Sequence, residues 1–201
     1  MTLADVSHAE ESFADADTLD AIASCLGYPH PDSATDARRA AAGWGDAYPQ
    51  VAEHFIALAE WLEETDPLAV EDAYTNLFDL KPACTLDLGH HVFGEAYQRG
   101  ALLAGLVAEH REHKVDMRNE LPDYLPTVLR LVGRLEDTPE REMFLSRVLG
   151  VGVGRMKKAL VKIDTPWARA VSSLADVYIA PAEELDETLH QRIRLQVLNN
   201  A

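Results

Sequence analysis

The sequence predicts an all-α fold, a single-domain bundle of about eight to ten antiparallel helices. Three observations carry this. Apolar residues recur at spacings of three and four nearly throughout the 201 residues. No stretch shows the period-two alternation of a half-buried strand. The periodic stretches begin at Asp, Thr, Asp-Pro or Thr-Pro and stop at Gly or Pro.

The elements follow in order. Leu19, Ile22, Ala23 and Leu26 share a helix face, opened by Asp17 or Thr18 and closed by Gly27 and Pro29. A small-residue stretch, 36–42, makes a short helix ending at Gly43. Val51, Phe55, Leu58, Ala59 and Leu62 form an apolar stripe. Asp66 caps a helix with Pro67 at its first position, where the missing amide costs nothing, and the helix runs to about Leu80. Lys81-Pro82 ends it, and 83–94 reads as broken. Ala96, Leu103, Leu106, Val107 and His110 mark a long helix. Asp123 is placed to cap the next, with Pro126 in its first turn and Leu125, Val128, Leu129, Val132 and Leu135 as its buried face. Pro139 begins another through Met143, Phe144 and Val148. Gly150, Gly152 and Gly154 interrupt as a hinge, and Met156, Leu160 and Ile163 resume. Thr165-Pro166 starts a helix carrying Trp167, Val171, Leu174 and Tyr178, which Pro181 ends. The expected organisation is a disordered acidic stretch over 1–16, a helical domain over 17–180 and a loose terminal segment or helix over 181–201.

Charge narrows the function. With 18 Lys+Arg against 34 Asp+Glu, the net charge of −16 disfavours nucleic acid, whose phosphates require clustered cations. It disfavours an anionic membrane surface and favours a basic partner. Solubility alone is the competing explanation. No run approaches the ~18 uncharged apolar residues of a membrane span. The acidic start lacks the basic and apolar regions of a secretory signal, so a cytoplasmic location is expected. Cys25 and Cys84 lie far apart, and no disulfide is expected there.

Three clusters mix polar and aromatic residues where a plain helical protein would carry only solubilising charge. In the first, Tyr74 and Phe78 share a helix face and are either core or contact surface. Asp79 opposes the dipole at that helix's C-terminus, so a partner such as Arg99, or a ligand's cation, is expected beside it. The second holds His90, His91, Gly94, Glu95, Arg99 and Gly100. His91–Glu95 and Glu95–Arg99 are each four apart and would line one helix face. A metal site there lacks the three or four ligands zinc requires. An acid/base pair lacks a nucleophile beside it. A hydrogen-bonded network shaping a groove remains, against an ordinary surface pair worth ~0.3–0.5 kcal/mol. Gly94 permits an unusual backbone angle, and Gly100 permits close approach of a second helix. The third cluster, Glu120, Pro122, Asp123, Tyr124 and Pro126, is a loop feeding a capped helix, with two acids able to receive a peptide's Arg or Lys. The Gly150–Gly154 stretch, with Arg155, Lys157 and Lys158 after it, lacks the preceding strand of a phosphate loop.

Together the three clusters resemble the nitrate reductase delta-subunit family of NarJ-like molybdenum-cofactor assembly chaperones, within the wider TorD/DmsD-type maturation proteins. The match is carried by Tyr74, Leu77, Phe78, Asp79 and Leu80, by His91, Val92, Phe93, Gly94, Glu95, Arg99 and Gly100, and by 120–126. It covers roughly residues 19–178. The chain departs from the pattern at Tyr124, where relatives often carry histidine, and at Phe93, where some do. The resemblance implies a non-enzymatic helical chaperone without a cofactor or metal of its own. Such a protein binds the N-terminal segment of a molybdoenzyme catalytic subunit, nitrate reductase first, and holds it for cofactor insertion, with the insertion machinery as a further partner. Tyr74, Phe78, Asp79, His91, Glu95, Arg99, Glu120, Asp123 and Tyr124 become the expected peptide-binding set, and the chain either a monomer or an element-swapped dimer. The rival readings are a small metal-dependent enzyme using His90, His91 and Glu95, and a plain helical scaffold.

Overall fold

Short apolar-faced helices with local caps need neighbours to bury against, and the computed structural model shows how they find them. It describes residues 14–45, 47–80 and 82–178. The elements are α1 (Ala16–Leu26), α2 (Ser33–Trp44), α3 (Pro49–Glu64), α4 (Pro67–Phe78), α5 (Leu88–Phe93), α6 (Tyr97–Glu112), α7 (Leu125–Val132), α8 (Pro139–Phe144), a π-helical turn (Leu145–Leu149), α9 (Gly150–Leu160), α10 (Pro166–Ser173) and α11 (Ala175–Tyr178). The fold is all-helical among the described residues, as the periodicity predicts. The expectations for 1–13 and 179–201 lie outside them.

α2 packs against α1 and α3, and α1 also lies on α7. α10 contacts both α3 and α9, while α5 contacts α9 and α6. Trp44, Phe55, Trp167 and the leucines of α1 and α7 are fully buried. Trp167 donates its indole N–H to the Cys25 carbonyl at 3.1 Å, which joins α10 to α1. Both cysteines are buried free thiols.

Caps written in local sequence hold. Asp66 accepts from the Leu68 amide, Thr138 from Arg141 and Thr165 from Ala168, each followed by Pro at the first helical position. Elsewhere the structure corrects the sequence. α1 is capped by Asp15, two residues before the expected cap, which accepts from the Thr18 amide at 2.7 Å. α2 begins at Ser33 and runs through Gly43 to Trp44. Gly43 is a contact rather than a stop, since a Cβ there would lie 1.9 Å from Thr18 Oγ1 on α1. The expected break over 83–94 contains α5, which ends at Gly94 with φ +61°.

The glycine hinge is corrected most strongly. Gly150, Gly152 and Gly154 lie within α9 and do not interrupt it. A Cβ on Gly150 would stand 2.1 Å from the Tyr178 carbonyl oxygen, and one on Gly152 would stand 2.3 Å from Leu88 Cδ2. Both glycines admit a neighbour that a side chain would push away. The departure from α geometry sits one turn earlier, in the π-helical 145–149 stretch.

Candidate functional site

The three motif clusters converge around two chain segments laid side by side. Asp87 and Tyr124 form an antiparallel bridge. The Leu88 amide donates to the Asp123 carbonyl and the Leu125 amide to the Leu86 carbonyl, both at 2.8 Å. These bonds bring the start of α5 against the start of α7.

Asp123 is fully buried at this junction. It does not cap its own helix, as the sequence predicts. Its Oδ2 instead accepts from the Gly89 amide at 3.1 Å and from Arg99 Nε at 3.1 Å. It is therefore a cap for α5 supplied from 34 residues away. Gly89 is required, because a Cβ there would lie 2.6 Å from that same carboxylate oxygen. At the other end of α5, Arg155 of α9 donates to the His91 and Val92 carbonyls at 2.5 and 2.9 Å. α5 is thus held at both ends by side chains from distant elements.

Arg99, on α6, is the hub. Besides Asp123 it lies 3.6 Å from an Asp87 oxygen and 3.8 Å from Glu95. It is committed to these acids and not to Asp79, contrary to the pairing expected from sequence. Glu95 also meets His90 Nδ1 at 3.3 Å, but its side chain is 84% exposed, so both contacts are surface pairs of small energy. His91 and Glu95 do not share a helix face, because Gly94 turns the chain between them. His91 Nε2 donates inward to the Thr85 carbonyl at 2.8 Å, beside Cys84. His91 is therefore turned away from the His90–Glu95 pair. Among the described residues no three His, Cys, Asp or Glu side chains come together to hold a metal ion.

Tyr74 and Phe78, expected on a peptide-contacting face, are 2% and 4% exposed. They are drawn inward because Tyr74 packs edge-on against both Trp167 and Tyr28 and beside Phe78. The Tyr74 hydroxyl lies 2.8 Å from that of Tyr124, joining α4 to the start of α7. These two residues support the site from beneath.

Three carboxylates face outward above this frame: Asp79, Asp87 and Glu120. Partial burial raises the pKa of each. For Glu120 the charges of Asp79 and Asp87 add to it, and for Asp87 those of Asp123 and Asp79 do, against the pull of Arg99 and His90. Burial, with the nearby Glu120 and Asp79 charges, pushes Tyr124 up to about 12. Neither Asp79 nor Glu120 forms an ion pair among the described residues. Each is followed in the chain by an exposed leucine, Leu80 at 71% and Leu121 at 47%. Unpaired carboxylates beside exposed apolar side chains are suited to a segment carrying both cations and apolar groups. Sequence reasoning missed Asp87 and Gly89, and it named Leu80 and Leu121 only as part of the family match. The Asp87-Leu-Gly89 run at a helix start was the available signal.

Two hollows lie elsewhere. One of about 420 Å³ is bordered by His54, Lys157, Lys162, Arg169 and Asp176, among others, and one of about 170 Å³ by Trp61, Leu77 and Trp167, among others. The expected peptide-binding residues border neither. The buried Cys84 thiol is pushed up to about 12, so it stays protonated and is a poor nucleophile.

The described family model, nitrate reductase delta subunit, matches residues 45–173, a stretch that includes all the motif residues. The chain belongs to the nitrate reductase delta subunit family. Among curated proteins, the chain is 37% identical over 75 residues to the nitrate reductase molybdenum cofactor assembly chaperone NarJ of Escherichia coli (strain K12), covering 37% of this chain and 32% of that protein. It is 33% identical over 98 residues to the probable nitrate reductase molybdenum cofactor assembly chaperone NarW of the same strain, covering 47% and 40%. It is 29% identical over 114 residues to the nitrate reductase-like protein NarX of Mycobacterium tuberculosis (strain ATCC 25618 / H37Rv), covering 56% and 17%. The chain thus spans about a third of the length of the first of these relatives. No described helix of this delta-subunit family member is long and apolar enough to cross a membrane.

Two histidines, the part-buried His91 and the buried His110, give this part of the fold a pH dependence. Burial lowers the pKa of His91 and of His110, whose Nε2 donates to the Pro122 carbonyl at 2.9 Å. The unfolded chain takes up these protons near pH ~6.5, and the folded chain only at lower pH. Their contribution to stability is therefore complete above ~6.5 and lost as pH falls through the folded values. The raised carboxylates act with the opposite sign, and at lower pH. Urea midpoints should fall between pH ~7 and ~5.5, and fall less in His110→Asn. An equal fall in the variant would assign the acid sensitivity to other groups.

Proposed function

We propose that this chain is a cytoplasmic, non-catalytic assembly chaperone for nitrate reductase. It holds the N-terminal segment of the catalytic subunit on the Asp79–Asp87–Glu120 surface while the molybdenum cofactor is inserted. The observation that carries the reading is the pair of unpaired carboxylates, Asp79 and Glu120, each beside an exposed leucine, above a frame built from the family's own motifs. Family membership and the names of two of the relatives support the client's identity.

The mechanism follows from the chemistry. Leu80 and Leu121 bury against apolar side chains of the client, and this supplies most of the affinity. Asp79, Asp87 and Glu120 receive its Arg or Lys residues and set selectivity and encounter rate more than affinity. Because partial burial disfavours the charged forms of Asp79 and Glu120, which have no ion-pair partner among the described residues, a basic client segment relieves a cost the free protein bears. Arg99 and Asp123 position the surface, and Tyr74 and Phe78 support it from within.

The test is a calorimetric titration with a synthetic peptide copying the N-terminal segment of the nitrate reductase catalytic subunit. The parent chain should give saturable binding. The double variant Asp79→Asn/Glu120→Gln should lose about tenfold in affinity at low salt, less at high salt, while its thermal midpoint stays level or rises. Undiminished affinity in that variant would reject the surface. No binding to the parent would reject the client.

A further inference from the structure

We propose that the hollow of about 420 Å³ at the C-terminal end of α9 is a second ligand site, and that it takes a small phosphorylated molecule. The site lies apart from the Asp79–Asp87–Glu120 surface and does not depend on the client reading.

Charge in this chain is unevenly placed. Against a net −16, the 155–169 stretch holds five of the 18 Lys and Arg residues, Arg155, Lys157, Lys158, Lys162 and Arg169, and a single acid, Asp164. Lys157, Lys162 and Arg169 border the hollow, together with Asp164 and Asp176. Lysines near the end of a helix complement its dipole, which accounts for Lys157, Lys158 and Lys162. The dipole does not account for what other elements bring to the same hollow: Arg169 and Ser172 from α10, and His54 from α3.

The donors are available. Lys162, His54 and Ser172 have no hydrogen-bond or ion-pair partner among the described residues. Lys157 is paired with Asp176 and Arg169 with Asp164, but all four side chains are 44–83% exposed. Such pairs are worth at most about 1 kcal/mol, so an incoming anion can take either cation from its aspartate. A phosphate group carries roughly −1.5 to −2 charge at pH 7 and three acceptor oxygens. Those oxygens match one ammonium, one hydroxyl and one imidazole N–H.

The lining selects the rest of the ligand. Leu160, Ile163 and Ala168 supply apolar contact, and the volume falls within the roughly 300–1,000 Å³ of small-molecule sites. A long acidic polypeptide is disfavoured, because outside the hollow it meets the field of a chain of net charge −16. Residues 155 and 157 lie roughly 200° apart around a helix. Arg155 reaches α5, so Lys157 and the hollow lie on the side of α9 turned away from α5. Both ligands can therefore be held at once.

Phenyl phosphate is the probe, added to the full isotopically labelled chain and followed by amide shifts. It should bind saturably with a Kd at or below ~1 mM at an ionic strength of ~0.02 M, moving the amides of Lys162, Ala168 and Ser172. Inorganic phosphate, which lacks the apolar body, should bind several-fold more weakly. Lys162→Gln/Arg169→Gln, at two exposed positions, should keep the parent's melting point and bind phenyl phosphate about tenfold more weakly. Shifts no larger than sodium chloride produces at the same ionic strength overturn the proposal, as does undiminished binding to that variant. The chain's own acids at Glu183, Glu184, Asp186 and Glu187 are the internal rival. If the parent stays silent while Glu183→Gln/Glu184→Gln/Asp186→Asn/Glu187→Gln binds the probe, the hollow belongs to that acidic run and the external ligand is rejected.

Discussion

Replacing Asp123 by alanine should cost about 3 kcal/mol of folding stability, the scale for breaking a buried charged pair. The residue is fully buried and its Oδ2 serves both the Gly89 amide and Arg99 Nε. Truncation leaves that amide without its acceptor and Arg99 with only Asp87 and Glu95, at 3.6 and 3.8 Å. Asn, which keeps an acceptor but not the charge, should cost about half as much. Urea denaturation measures the difference, and amide exchange at Gly89 locates it. A loss below ~1 kcal/mol for the alanine variant would mean that the junction between α5 and α7 does not depend on this carboxylate.

Gly150→Ala should lower the melting temperature by about 5 °C, the equivalent of about 2 kcal/mol in a domain of this size. Helix propensity argues the other way, since alanine in place of an interior glycine stabilises by about 1 kcal/mol. The clash decides. The new Cβ would sit 2.1 Å from the Tyr178 carbonyl oxygen and 3.3 Å from that of Leu145, and a main-chain group cannot rotate aside as a side chain can. The displacement would also disturb Tyr178 against Trp44, whose rings lie 6.4 Å apart. Gly100→Ala is the contrast, because nothing lies within 4 Å of a Cβ there. It should stabilise by roughly 0.5–1 kcal/mol. If both substitutions stabilised, α9 would have room that the structure denies it.

What the sequence made legible follows from range. The caps at Asp66, Thr138 and Thr165 could be read because donor, acceptor and proline lie within four residues. Gly43, Gly150 and Gly152 read as breakers because a glycine's local effect is the same whether it ends a helix or admits a neighbour. Only Thr18, Tyr178 and Leu88, distant in sequence, distinguish the two. Asp123 looked like a local cap for the same reason, and its true partners are 34 and 24 residues away. Within the site, Asp79, Glu95, Arg99 and Glu120 stood out as charges amid apolar surroundings. Asp87 did not, since its role appears only when the bridge to Tyr124 sets it beside Arg99. Tyr74 and Phe78 have a spacing that serves a core or a surface equally well, and the rings of Trp167 and Tyr28 make them core.

α5 has six residues, far fewer than the roughly 12–15 an isolated helix needs to persist in water. Its two clamps come from positions 123 and 155, so it forms only after those parts of the chain have found their places. The proposed client surface, which includes Asp87 at the start of α5, is thereby tied to completion of the rest of the fold: a partly folded copy would keep most of its helical signal but present no orderly platform.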